Sequence, residues 1–389
     1  MYHRRCCNLL VLLSACLSGA LGCRPATFFA GAAISQNAPW RAGRNASCPW
    51  TFPGLDPRVP PRIRPGSYAT ATNNVRFLDA ASLGPHSYRF IWSERNGIIY
   101  TCRAGHIDIA HVRKAADCTG YLAAVALEHI ERGETRFLCK LIEPSVYFIS
   151  LTFPPNWDDL DDTERERIAR CVSRELAQYL AFTSLTWHEI ITWFGYRPRP
   201  YKSEFPSAFS WEDTYSNLLG VHIAAAALED EHFAFSEAVT MVLEKRIDEL
   251  GGQPAEVARQ AAEAMKGKWY SKHLFSTNIW MRCFDVGLDD GYVTPCLVPS
   301  LAVCEGAQPL PLAVPVLDNL AKYGFSARVE IEAKVWEQKK ILAVLDAMAG
   351  RASALRSGPP AARLDPAVHF PLIIRYIEAL AAERWSHVY

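Results

Sequence analysis

Three short runs set ionisable side chains among large apolar ones, where charge is costly unless partnered. The first is Thr186-Trp187-His188-Glu189-Ile190-Ile191-Thr192-Trp193-Phe194-Gly195. Its His-Glu pair is half of the H-E-x-x-H pattern, in which two histidines bind zinc and the glutamate activates water. Thr192 stands where the second histidine would be, which excludes an ordinary zinc-peptidase helix. His188 stays a ligand candidate with partners from elsewhere, and Glu189 a general-base candidate. The second run is Gly105-His106-Ile107-Asp108-Ile109-Ala110-His111-Val112-Arg113, with Asp117 and Thr119 after it. Asp108 and His111 are three apart and share a helix face. The carboxylate can orient the imidazole or join it on a metal; the plainer reading is an aspartate favoured by the helix dipole. The third run, Ser210-Trp211-Glu212-Asp213-Thr214-Tyr215-Ser216-Asn217, puts two carboxylates at a helix start and Ser216 and Asn217 one turn on.

Neutral imidazole with carboxylate suits zinc or a similar divalent ion, and an open fourth position would serve catalysis. The expected metal ligands are His111, His188 and one of Glu212 or Asp213. Glu189 would act as general base on bound water, with Asp108, His106 and Asn217 in support. The competing expectation is that the His-Glu and Glu-Asp pairs only cross-link helices. A fourth stretch, Trp280 to Pro295, carries three Asp and lacks calcium-loop spacing, so it reads as a turn. No Walker loop, G-x-G-x-x-G or G-x-S-x-G is present, leaving nucleotide-dependent and α/β-hydrolase readings without support.

Helices must carry most of these residues. Apolar residues recur at helical spacing from Ile107 to about Ile130, and Asp161-Asp162-Thr163-Glu164 opens a helix reaching Trp193 and stopping at Gly195. A helix follows from Ser210, a natural N-cap. Others are expected at about 233–249, 254–270, 332–348 and 370–383. Two hairpins are expected, one pairing Tyr88–Trp92 with Gly97–Thr101, the other pairing Thr135–Ile142 with Val146–Phe153 across Pro144 and Ser145. The fold class is α+β, a mostly helical single domain with two small β-hairpins. It would span 76–349, with a loose linker and C-terminal helix at 350–389.

The composition fits a folded body of 389 residues, half of them apolar, with 41 basic against 41 acidic side chains. Zero net charge removes the usual signature of a nucleic-acid binder. Arg4 and Arg5 precede an apolar run, Leu9 to Leu21, too short to span a membrane. Ala20-Leu21-Gly22-Cys23 follows and is similar to the end of a bacterial lipoprotein signal, with Cys23 the lipidated residue. Leu13-Ser14-Ala15-Cys16 is the alternative. Residues 1–23 would be the signal and 24–75, with eight prolines, a tether. Beyond Cys23 lie eight cysteines without a C-x-x-C pair, and their connectivity cannot be deduced from sequence.

G-x-I-D-x-x-H-x-R, W-H-E-x-x-T-W-F-G-Y, S-W-E-D-x-Y-S-N-L-L-G and D-x-G-L-D-D-G-x-V-x-P together resemble a bacterial lipoprotein family known as domain of unknown function 4056. The resemblance covers roughly residues 76–345. It implies a periplasmic or surface lipoprotein and brings no activity, substrate or catalytic residues. The expectation is therefore an outer-membrane lipoprotein facing the periplasm, held by its N-terminal lipid. Its function would be metal-assisted hydrolysis of an envelope polymer or peptide. The alternative is a non-catalytic lipoprotein that binds a protein or glycan partner.

Overall fold

Apolar side chains cover every side of α1 (Ile109–Glu131), so the helix has to lie inside, and it is buried along nearly its whole length. The computed structural model describes residues 50–64, 76–141, 143–197, 203–272, 277–332, 338–348 and 363–388. Both lipidation candidates, Cys23 and Cys16, fall outside these residues. So does the tether apart from 50–64, where Phe52, Leu55 and Arg64 are buried against the body.

Two strands lead into α1. β1 (Ile98–Thr101) and β2 (Gly105–Asp108) form an antiparallel hairpin buried throughout. This corrects the expected first hairpin, since Tyr88–Trp92 forms no strand and β1 pairs forward. Part of the 86–88 backbone is bonded elsewhere: His86 and Tyr88 donate their N–H groups to Thr240 and Ser236 hydroxyls. The second hairpin is as expected, β3 (Arg136–Cys139) against β4 (Val146–Thr152). Ile142 lies outside the described residues.

α2 (Asp162–Trp193) matches its expected span within a residue. Asp161 caps it by accepting from the Glu164 N–H, and Gly195 at φ 97° turns the chain away. α3 (Asp213–Ala227) starts later than expected, and Ser210 is not its cap; Glu212 holds that position without a side-chain cap bond. α4 (Phe235–Glu249) and α5 (Ala255–Met265) follow. α5 stops short of 270 because Lys266 is extended and Gly267 left-handed. Two ribbons come next, β5 (Tyr270–Lys272) with β6 (Thr277–Ile279), and β7 (Tyr292–Val293) with β8 (Leu312–Ala313).

β9 (Ser326–Glu332) pairs along all of β4, a partnership the sequence did not announce. It takes Glu332, which was expected to open a helix; α6 is described as Gln338–Met348. β10 (Arg363–Leu364) completes a four-stranded sheet ordered β10-β9-β4-β3, and α7 (Pro366–Arg384) begins ahead of the expected 370. The fold is α+β, dominated by helix.

α1 packs on both α2 and α3, and these three helices hold the site. α1 and α3 run the same way, because Asp108 N donates to Ser216 Oγ while Val112 one turn on abuts Gly220. Any Cβ at Gly220 would lie 2.1 Å from the Val112 carbonyl oxygen, so only glycine permits that approach. α7 lies on α2 through Trp187 stacked on Phe370 and Trp193 edge-on to Trp385. No helix among the described residues is long and apolar enough to cross a membrane.

Candidate functional site

α1 and α3 begin, and α2 ends, at one end of this three-helix core. Carboxylates suit the two helix starts and an imidazole suits the helix end. From α1 come Asp108, His111 and Lys114, spaced three apart along one face. Asp108 is the N-cap and accepts from Ala110 N–H through Oδ1. Its Oδ2 lies 3.6 Å from His111 Nδ1, which is 2.9 Å from Asp213 Oδ1. Asp213 Oδ2 accepts from Ser210 N–H, and Ser210 Oγ donates to Glu212 Oε1. The serine expected to cap α3 therefore fixes both of the helix's leading carboxylates.

The end of α2 supplies His188 and Glu189, which diverge. His188 Nδ1 is 2.9 Å from Glu143 Oε1, and its Nε2 is 3.8 Å from Glu204 on the surface. Glu189 turns inward, where Oε2 accepts from Phe209 N–H at 2.8 Å. Phe209 is fully buried at φ 55°, a left-handed conformation that costs a large side chain free energy and persists where its surroundings impose it. Glu189, Asn217, Thr186 and Thr214 line a crevice with Phe209 and Val286, too narrow to admit a water molecule.

Burial alone would lower both histidines. Asp108 and Asp213 outweigh it at His111, and Glu143 at His188, so both imidazoles are held above their ordinary pKa. Glu189 and Glu212 are shifted up, by burial first and by the Asp213 charge next. Asp213 is held down because His111 outweighs its burial. Lys114, 6% exposed, opposes the charging of both imidazoles. It thus couples the His111 and His188 pairs.

The His111–Asp213 and His188–Glu143 contacts, both 2.9 Å, have hydrogen-bond length, yet the direction is off. His111 Nδ1, His188 Nδ1, both Glu143 oxygens and Glu212 Oε2 are buried without an aligned partner. These atoms are of metal-binding type. Among the described residues, however, no group of three or more His, Cys, Asp or Glu is placed to hold an ion. The imidazoles stand in two carboxylate-backed pairs. Their rings retain some exposure, 13% for His111 and 16% for His188. In each, Nδ1 is among the buried atoms.

Of the supporting residues, Asp108 and Asn217 belong to this end of the core. His106 does not: its Nε2 contacts the Ala258 carbonyl at 3.1 Å, and its ring meets Tyr100 and Trp211 edge-on. Burial lowers it to about 4, as for a neutral core residue. Trp211 lies with Tyr100, Ala258, Met265 and Tyr270 in a second apolar cluster, separate from the main core. Glu143 and Lys114 were missed. An acid before Pro144 in a hairpin turn reads as solvated, and only its 2% exposure reveals otherwise. Lys114 carried a usable signal, since it continues the three-residue spacing of Asp108 and His111 inside an apolar helix.

Residues 73–282 match the model of a family described as protein of unknown function (DUF4056). That span contains all the ionisable site residues above and stops short of the D-x-G-L-D-D-G stretch. No curated protein and no solved structure matches the chain.

Proposed function

Because the chain belongs to the DUF4056 family of proteins of unknown function, we propose its activity from the site alone: hydrolysis of an envelope polymer or peptide by His111 and His188. The observation that carries this reading is the pair of partly exposed imidazoles, each backed at Nδ1 by a buried carboxylate 2.9 Å away. The negative charge there favours the protonated ring electrostatically and leaves Nε2 to exchange protons with substrate. Two such groups, joined electrostatically through Lys114, supply a general base for water and a general acid for the leaving group. The protein works at the bacterial envelope as a lipoprotein anchored through Cys23, the export signal and lipid-attachment sequence being the support for that location.

Zinc assistance is the second reading, favoured by the buried donor atoms without aligned partners. His111, His188 and Glu212 or Asp213 would hold the ion, with Glu189 on its water. The ion would have to draw two separate pairs into one shell. Bound-metal analysis by mass spectrometry, with and without chelator, separates the readings: stoichiometric zinc assigns the site to the ion.

The test incubates purified full-length protein with isolated cell-wall polymer and with envelope peptides, following products by mass spectrometry. His111→Gln and His188→Gln should each slow product release about 100-fold or more while leaving the fold intact. Absence of product from the parent protein, or release by both variants as fast as the parent's, hands the site to the helix-linking role of a non-catalytic partner-binding lipoprotein. Palmitate labelling lost in Cys23→Ser checks the anchor.

A further inference from the structure

The loop between Tyr88 and Glu94 holds its side chains away from the body. Trp92 is 92% exposed and Phe90 64%, and their rings meet edge-on with centroids 5.0 Å apart. The Arg62 guanidinium lies 5.9 Å from the Phe90 ring centre, and the next residue, Ile63, is 73% exposed. Single apolar side chains in water are ordinary, but a group of them marks a contact surface. The loop is firmly footed. Ser87 N–H donates to Glu94 Oε2 at 3.3 Å, and Arg64 binds both the Ser87 carbonyl and Glu94. Tyr88 donates its hydroxyl to the Val59 carbonyl at 2.8 Å. A buried ion cluster thus clamps both feet and presents the two rings in a set geometry. The carboxylates beside the loop are taken, Asp56 by Arg58 and Glu94 by Arg62 and Arg64. Arg89 and Arg95 flank the rings, exposed, and neither forms an ion pair among the described residues.

We propose that Phe90, Trp92 and Ile63, flanked by Arg89 and Arg95, form a docking surface for an anionic phospholipid bilayer. Three observations favour a bilayer as the occupant. The rings stand out from the surface as a projection, whereas a small ligand is received in a concavity. Aromatic rings beside arginines suit the membrane–water interface, where the ring sits at headgroup level and the guanidinium meets lipid phosphate. The surface is also built partly on residues 50–64, the described end of the stretch that leads from Cys23, so a lipid on Cys23 would bring this side of the body nearest the membrane. A tether alone leaves the body free to turn. Insertion of the rings fixes which side faces the bilayer, and the clamp on Ser87 and Glu94 spares the loop the cost of ordering on contact. The proposal rests on the envelope-lipoprotein reading for the membrane beside the protein, and is independent of the hydrolytic one.

The experiment binds the full-length protein to vesicles of phosphatidylglycerol and phosphatidylethanolamine with brominated acyl chains, which quench tryptophan fluorescence at contact range. Trp92→Phe keeps the apolar surface and removes one fluorophore, so the difference between parent and variant reports Trp92 alone. The parent should lose the larger share of its fluorescence. A double variant, Phe90→Ser with Trp92→Ser, alters only exposed side chains and should weaken co-sedimentation with the vesicles about 10-fold or more. Raised salt should weaken the parent's binding, since it screens the arginines. Equal quenching of parent and Trp92→Phe, or no quenching of either, overturns the docking. So does co-sedimentation with isolated cell-wall polymer in place of vesicles, if the double variant loses it, since the loop would then belong to the polymer. Dimers of the free parent by light scattering that the double variant abolishes would assign the surface to a second copy. Palmitate labelling reads the anchor separately. A labelled chain without the Trp92 difference keeps the anchor and loses the docking, and an unlabelled chain that shows the difference does the reverse.

Discussion

Arg113 and Asp117 look out from one side of α1, while Asp108, His111 and Lys114 look out from the other, and the two buried clusters are built on different terms. On the first side, every carboxylate oxygen has a donor. Arg64 binds Glu94 through both its Nε and Nη2, and also binds Asp117 and the Ser87 carbonyl. His86 meets the other Asp117 oxygen. Arg113 donates to the carbonyls of Leu83, Gly84 and Pro85. On the second side there is no guanidinium. Five carboxylates (Asp108, Glu143, Glu189, Glu212 and Asp213) face two imidazoles and one lysine, and buried oxygens of Glu143 and Glu212 lack an aligned donor. The difference lies in the carboxylates: on the first side the atoms left over are nitrogens of His86, Arg62 and Arg113 and the Asn96 amide oxygen, whereas on the second side carboxylate oxygens themselves are left over. A cluster whose carboxylates are all matched by donors fastens a chain segment to the core. One that leaves imidazole and carboxylate atoms unmatched keeps chemistry available, as functional sites do.

The sharpest way to break this contrast is to remove one partner from the matched side. Asp117→Asn removes one of the two carboxylates that neutralise buried Arg64, Glu94 being the other, and breaking such a pair costs about 3 kcal/mol. At the sensitivity of a large domain this is a melting temperature lower by roughly 10 °C. His188→Gln, by comparison, should shift melting by only a few degrees. Equal losses measured calorimetrically would mean that both clusters are structural.

A smaller effect is expected at Gly220→Ala. The added Cβ meets the Val112 carbonyl, so α1 and α3 must part, at about 1–3 kcal/mol for overpacking. The disturbance should reach His111 and Asp213 and spare the Arg64 side. Amide hydrogen exchange on the variant should rise around the start of α3 while residues near Asp117 stay protected. The opposite pattern would mean that the two sides of α1 are mechanically one.

The smallest effect, and the one that tells the sides apart most directly, is pH dependence. Burial would raise Glu94, yet Arg64 outweighs it and holds Glu94 far below the carboxylate range. That stability is present above pH ~4.3 and is lost as pH falls. His111 and His188 are raised, so their contribution is full below pH ~6.5 and is lost as pH climbs through their folded values. The upward shifts of Glu189 and Glu212 act in the same sense, and Asp213 acts against them. Melting curves across pH should show an acid limb flattened by Glu94→Gln and an alkaline limb flattened by His111→Gln. An alkaline limb indifferent to His111→Gln would remove the imidazole–carboxylate coupling from the site.

Sequence alone carried what neighbouring residues decide among themselves. The span of α2, its opening at Asp161-Asp162-Thr163-Glu164 and its stop at Gly195 were legible because a helix closes its hydrogen bonds four residues away and its ends are marked by side-chain and glycine chemistry. The β3–β4 hairpin was legible for a related reason, with Pro144 and Ser145 marking a short turn. So were His111, His188, Glu189, Glu212 and Asp213 as polar residues in apolar company. Tertiary structure alone decided who pairs with whom. His188 reaches back to Glu143 in a hairpin turn, His111 reaches forward to Asp213 at the start of another helix, and Glu189 is held by the backbone of Phe209. β1 chose β2 over Tyr88–Trp92, and β4 took β9 from far along the chain. A strand's hydrogen bonds and a buried charge's partner both come from outside the segment. Local pattern could therefore announce that these groups need partners, and only the packing of α1, α2 and α3 could supply them.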